Sequence, residues 1–123
     1  GIEYQVASHM ISLGLINEGI SIVETTRNRY TKTSRNPFDE YEAGHWYGRA
    51  LSSYSLIQST SGVRYDAVEK ILYIKRSDNS DFRSFLSTES GFGTVGIHKG
   101  KPFIDVKKGK IEIKSISFNS ISV

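Results

Sequence analysis

The run Asn36-Pro37-Phe38-Asp39-Glu40-Tyr41-Glu42-Ala43-Gly44-His45-Trp46-Tyr47-Gly48-Arg49-Ala50-Leu51 concentrates the side chains of this sequence that could do chemistry. It holds three carboxylates, an imidazole, a guanidinium and four aromatic rings in sixteen residues. Read as the entry to a helix with Glu42 at position i, it places His45, Trp46 and Arg49 at i+3, i+4 and i+7. That spacing puts all four on one side. Ions supply directional hydrogen bonds and an indole supplies an apolar platform, a combination suited to a neutral polyhydroxyl ligand such as a sugar. The same residues also have plainer uses. Glu42 can close a capping box with Asp39, Arg49 can bridge to Glu42, and His45 and Trp46 can simply pack.

Around this run the periodicity is helical up to about Gln58. Ile2, Val6, Met10 and Leu13 form an apolar stripe, and Gly14 is placed to stop that helix as a left-handed cap. Asn17 is the expected N-cap of a second helix with a buried stripe of Ile20, Val23 and Tyr30. Residues 31–36 read as a loop. A third helix follows, capped at Asp39, with Ala43, Tyr47, Ala50, Tyr54 and Ile57 as its core stripe. Gly44, Gly48 and Ser52 form a second strip of small residues that invites a close helix neighbour. After Gly62 the period changes to two. Segments 71–74, 82–88, 92–98, 102–107 and 110–118 read as strands, with Lys99-Gly100 and Lys108-Gly109 as tight hairpin turns. Ile111 and Ile113 are out of phase with Ile116 and Phe118, which predicts a bulge near Lys114-Ser115. The expected fold is therefore α+β, with helices over 1–60 and an antiparallel β-meander over 61–123.

Composition narrows the classes. The 123 residues are 37% hydrophobic and 24% charged, the range of a globular protein, and no apolar run is long enough to span a membrane. Without cysteine there is neither a disulfide nor a thiolate metal site. No second histidine stands at metal spacing from His45, so no metal and no cofactor is expected. The net charge of +3 is uneven. Residues 1–60 carry five Lys/Arg against six Asp/Glu, and residues 61–123 carry eleven against seven. Those lysines are spread along the strands rather than interleaved with aromatics, so no nucleic-acid partner is expected. Gly91-Phe92-Gly93-Thr94-Val95-Gly96 spells a nucleotide-binding pattern. A strand rather than a helix is expected after it, so glycines in a twisted strand are the reading. The sequence begins inside a helical pattern with no initiator Met and no signal region. It is expected to be a piece of something larger.

The motif Asn36-Pro37-Phe38-Asp39-Glu40-Tyr41-Glu42-Ala43-Gly44-His45-Trp46-Tyr47-Gly48-Arg49-Ala50-Leu51-Ser52-Ser53-Tyr54 resembles the near-C-terminal signature of glycoside hydrolase family 116. That family contains the non-lysosomal glucosylceramidases, or bile-acid β-glucosidases. The likeness extends over residues 1–7, 19–30, 62–66 and 82–96. It implies a retaining β-glycosidase whose catalytic domain is an (α/α)6 barrel, this chain holding its last helices and a C-terminal β-rich tail. The nucleophile and the acid/base would lie upstream, so no catalytic residue is expected here and the chain alone is expected to be inactive. By position in the motif, Glu40 and Arg49 would hydrogen-bond the sugar in the −1 subsite, with Glu42, His45 and Trp46 beside them. Many members of the family carry Cys at the position of Ala43, and the spacing around His45-Trp46 varies among them. The implied partners are the upstream part of the same glycosidase and a β-glucoside substrate, and self-association of the fragment is expected. The other function weighed is a non-catalytic carbohydrate-binding or assembly module using the β-meander as its surface. Neither compartment nor aglycone is readable.

Overall fold

The computed structural model describes residues 1–39, 49–76 and 80–118. They form an α+β chain of three helices followed by six strands. The chain divides into two compact units, Gly1–Thr60 and Ser61–Val123. No helix among the described residues is long and apolar enough to cross a membrane.

In the first unit, α1 (Ile2–Ser12) and α2 (Ile16–Asn28) form a helical hairpin. Gly14 ends α1 with a φ of +90°. Its N–H bonds to Ile11 O at 3.0 Å and the next N–H, of Leu15, reaches back to Met10 O at 2.9 Å. This is the paired-bond left-handed cap that satisfies the last carbonyls of a helix. The chain turns so tightly there that α2 starts at Ile16 with Leu15 as its N-cap and no capping side chain. Asn17, the expected cap, lies inside the first turn instead.

The hairpin also buries a different face from the one the periodicity named. Tyr4, Ala7 and Ile11 are the buried residues of α1, whereas Ile2 and Leu13 are each 68% exposed and Val6 45%. On α2 the buried residues are Gly19 and Thr26; of the expected stripe Ile20 is exposed and Val23 half-buried, while Tyr30, just past the helix, is buried as expected. The cause is Gly19. A Cβ there would stand 2.6 Å from Ile11 Cγ1 and 2.8 Å from Ala7 O, so the helices meet where both are narrowest. Thr26 is buried at little cost because its hydroxyl bonds to Ile22 O at 2.8 Å. Glu3 on α1 pairs with Arg29 just past α2, a bond that raises the pKa of that guanidinium.

The third helix, α3, is described from Arg49 to Ser61. The first turns expected to follow the cap Asp39, with the stripe residues Ala43 and Tyr47, lie outside the described residues, as does the side chain of Ala50. Tyr54 and Ile57 are 67% and 50% exposed, so the inner side is not the aromatic stripe. It is a row of serines. Ser55 bonds to Ser52 O at 2.6 Å, Ser59 to Ser55 O at 2.8 Å, and Ser59 Oγ lies 3.3 Å from Ser8 Oγ on α1. A serine whose proton is given to its own helix behaves as a small neutral residue, which lets the helices approach.

In the second unit two three-stranded sheets share one core. The first has the order β1-β2-β6, from β1 (Val63–Asp66), β2 (Ile71–Ile74) and β6 (Ser115–Phe118). The second has the order β3-β4-β5, from β3 (Phe82–Ser87), β4 (Gly91–His98) and β5 (Lys101–Gly109). Between them lie Val63, Leu72 and Ile74 from one sheet and Leu86, Val95 and Ile97 from the other. Leu72, Ile74, Ile97 and Val95 are the largest side chains with essentially no exposure, each contributing about 1.5–3 kcal/mol of burial.

Only β3-β4-β5 is a meander; β6 runs parallel to β2, pairing Leu72 with Ile116 and Ile74 with Phe118. Lys99-Gly100 is a tight turn as expected, with φ of 51° and 73°, joining the paired residues His98 and Lys101. Lys108-Gly109 is not a turn, because β5 runs through to Gly109. Beyond it an irregular stretch carries the chain to the other sheet, with Ile111 and Ile113 packed on the core. The change of phase before Ile116 comes from that break in the strand rather than from a bulge at Lys114-Ser115. The bulge that does occur opposes β5 at Phe92/Gly93.

The crossing stretch is fastened at three points. Tyr65 Oη donates to Glu112 O at 2.7 Å, Lys114 N–H to Lys70 O at 2.8 Å, and the Lys70 ammonium pairs with the Glu112 carboxylate. Lys110 also reaches Glu112, at 2.8 Å. The hydrogen bonds from Lys110 and then Lys70 lower the Glu112 carboxyl to about 2 from its ordinary 4.5, and Glu112 raises Lys70 in turn.

Two outcomes follow for stability. Gly19→Val should cost about 1–3 kcal/mol through overpacking at Ala7 and Ile11, read as a lower melting temperature of the helical circular dichroism signal. Glu112 binds its proton more weakly folded than unfolded. Its contribution is therefore complete above pH 4.5 and is lost as pH falls towards about 2. The acid limb of a stability profile over that window should be shallower in Glu112→Gln than in the parent chain.

Candidate functional site

The structure places the approach to the sequence-predicted site but not the site as a whole. Glu40, Glu42, His45 and Trp46 lie outside the described residues. Arg49 opens α3, and its side chain lies outside them too, so none of the five is brought together with another among the described residues. The segment leading to them is tied locally. Thr31 O receives the N–H groups of Ser34 and Arg35 at 3.1 and 2.9 Å, and the Arg35 guanidinium lies 5.5 Å over the ring of the buried Tyr30. Arg27 Nη2 donates to Pro37 O at 2.9 Å. Asn36 then folds the chain on itself. Its side-chain oxygen accepts the Phe38 N–H at 3.0 Å and its carbonyl the Asp39 N–H at 3.2 Å. Such a turn is what an Asn before Pro favours. It brings the chain to Asp39 with a fixed direction and leaves Phe38 94% exposed.

Among the polar residues of α1, Glu3 is spent on Arg29. Gln5 and His9 instead line a shallow groove of about 360 Å³ with Ser8, Ser12, Leu13 and Ser55. Ser12 Oγ donates to Ser8 O at 2.9 Å and Ser55 Oγ to Ser52 O. With those protons committed, the two hydroxyls offer lone pairs to the groove. It can therefore accept from a ligand's hydroxyl or amine, but it cannot act as a nucleophile with its base, since no hydrogen bond joins His9 to a serine among the described residues.

The glycine pattern is structural. Gly91, Gly93 and Gly96 lie within β4, the middle strand of its sheet, and a two-residue turn and β5 follow, not a helix. A Cβ on Gly93 would meet Asp105 O at 2.2 Å and one on Gly96 would meet Phe82 O at 2.0 Å. The glycines let the neighbouring backbones close in, and no helix N-terminus is present to hold a phosphate. No group of three or more His, Asp or Glu among the described residues could hold a metal.

Sequence reasoning missed one surface. Arg83, Phe85 and Ser87 on β3 all point away from the core, beside Phe92, Thr94 and Gly96 of β4. The signal was available in the alternation of Arg83-Ser84-Phe85-Leu86-Ser87, where Phe85 is in phase with polar residues. The sequence matches no protein-family model and no curated protein.

Titration with NAD or ATP should leave the amide shifts of Gly91, Gly93 and Gly96 unmoved. Gly96→Ala should instead lower the melting temperature of the β unit, as expected of a packing residue.

Proposed function

We propose that this chain is the C-terminal part of a retaining β-glycosidase of the β-glucosidase and glucosylceramidase kind. In this reading it supplies sugar-binding residues of the −1 subsite, Glu40 and Arg49 foremost, while the nucleophile and acid/base come from upstream sequence. The observation that carries the reading is the motif over residues 36–54, in which carboxylates, rings and a guanidinium recur at one-face helical spacing.

The helices lend support. Each of the three keeps a row of large apolar side chains outward: Val6 and Leu13 on α1, Ile16 and Ile20 on α2, Leu51, Tyr54 and Ile57 on α3. A helix apolar on more than one side is built for neighbours on more than one side. The outer positions of a helical barrel offer that environment. The Asn36 turn and the Arg27 bond to Pro37 order the chain up to Asp39.

In the site, a carboxylate accepts from two vicinal hydroxyls and the guanidinium donates to a third, which selects one sugar epimer. Each such charge-assisted bond is worth about 1.5–3 kcal/mol where water is excluded. The bonds speed hydrolysis only as far as they strengthen while the ring flattens towards an oxocarbenium ion. Glu40 and Glu42 are not the catalytic pair. Retaining carboxylates flank the scissile bond about 5–5.5 Å apart from opposite sides, which two residues separated by one on the same segment do not do.

In the intact enzyme, Glu40→Ala and Arg49→Ala should each lower kcat/KM by about a hundredfold, or about 2.7 kcal/mol. Rates within threefold of the parent for both would remove them from the site. The chain by itself should hydrolyse no aryl β-glucoside and should self-associate through its apolar helix rows, as sedimentation would report. A clean monomer at high concentration would count against the barrel reading.

A further inference from the structure

The outward face of β3-β4-β5 is aromatic where a solvent-facing sheet is ordinarily polar. Phe85 is 62% and Phe92 41% exposed, and their rings sit 6.2 Å apart at a tilt of 44°. Strand pairing sets three rows across this face: Arg83, Gly96 and Phe103; Phe85, Thr94 and Asp105; Ser87, Phe92 and Lys108. In the sequence Arg83, Phe92, Phe103 and Lys108 are far apart. The register interleaves them.

Gly96 leaves a gap in the first row, across which the Arg83 guanidinium lies 5.5 Å from the centre of the Phe103 ring. In the second row Thr94 Oγ1 is covered and has no hydrogen-bond partner among the described residues. Asp105 is held by Lys107 at 2.5 Å. The face thus has two apolar plates in adjacent rows, a carboxylate in the row of Phe85, and positive charge in the rows on either side from Arg83 and Lys108.

Apolar plates suit the C–H face of a pyranose, and the Asp105 carboxylate suits vicinal ring hydroxyls. Cations at both ends call for negative charge on the ligand at intervals, not at every link. A phosphodiester strand would set charge against Asp105 as well. We propose that this face is a non-catalytic platform for an acidic oligosaccharide, with uronate rings stacked on Phe85 and Phe92 and their carboxylates drawn to Arg83 and Lys108. The platform goes beyond the glycosidase reading and does not depend on it, since Glu40 and Arg49 take no part.

The test is calorimetric titration of the full chain with a hexauronate, a neutral gluco-oligosaccharide of equal length and an oligothymidylate, with amide shifts followed in parallel. The hexauronate should bind with a dissociation constant in the high micromolar range, weakening with salt. It should move the amides of Phe85, Phe92, Thr94 and Gly96. Phe85→Ala and Phe92→Ala should each weaken it about tenfold, with melting temperature preserved because both rings are exposed. Arg83→Gln should weaken it less and flatten the salt dependence. Should either phenylalanine variant fail to fold, the shift map of the parent chain decides. Absence of hexauronate binding, equal affinity for the neutral sugar, tighter binding of the oligothymidylate, or shifts confined to other strands would each overturn the proposal. Kinetics of Glu40 and Arg49 variants in the intact enzyme would be untouched by any of these results.

Discussion

The contact that organises the helical unit is the approach of Gly19 to Ala7 and Ile11. Without a side chain on α2 at that point, the backbones come close enough for Tyr4, Ala7 and Ile11 to become the inner face of α1. Everything bulkier is turned outward. The serine row of α3 repeats the choice, since Ser52, Ser55 and Ser59 face inward while Leu51, Tyr54 and Ile57 do not. A unit assembled through its smallest residues has little interior of its own and much apolar exterior.

The β unit is governed by an opposite arrangement. Large residues from both sheets meet in the middle, and glycines are placed along β4 so that β3 and β5 can flank it closely. The same glycines thin the outer face, leaving Arg83 and Phe103 to meet across Gly96 and exposing the Phe85–Phe92 pair. Core and surface are therefore two results of one strand's composition.

How much of this was legible in the sequence depended on how local the cause was. The Gly14 cap and the Lys99-Gly100 turn were readable because a positive φ within a few residues decides them. The stripe of α1 was misread because that helix offers two acceptable faces, and the choice rests with a glycine on a different helix. Strand β1, four residues just past the end of α3, escaped notice. The parallel pairing of β6 with β2 could not be read at all, since it joins residues some forty apart with no turn chemistry to announce it. Of the candidate site, the helical spacing of Glu42, His45, Trp46 and Arg49 was legible as a pattern. The Asn36 turn and Arg27 clamp were not, because Arg27 acts ten residues away through a backbone carbonyl.

The placement of β6 has a temporal consequence. As the chain emerges from a ribosome, β3, β4 and β5 can zip together as soon as each successor appears, because their links are short. Sheet β1-β2-β6 must wait, with one edge of β2 bare, until residues 115–118 arrive. The long loop this closes makes its docking the late event. The fastening of Glu112 by Tyr65, Lys70 and Lys110 then acts as a latch on a nearly finished structure, holding a strand that assembly leaves until last.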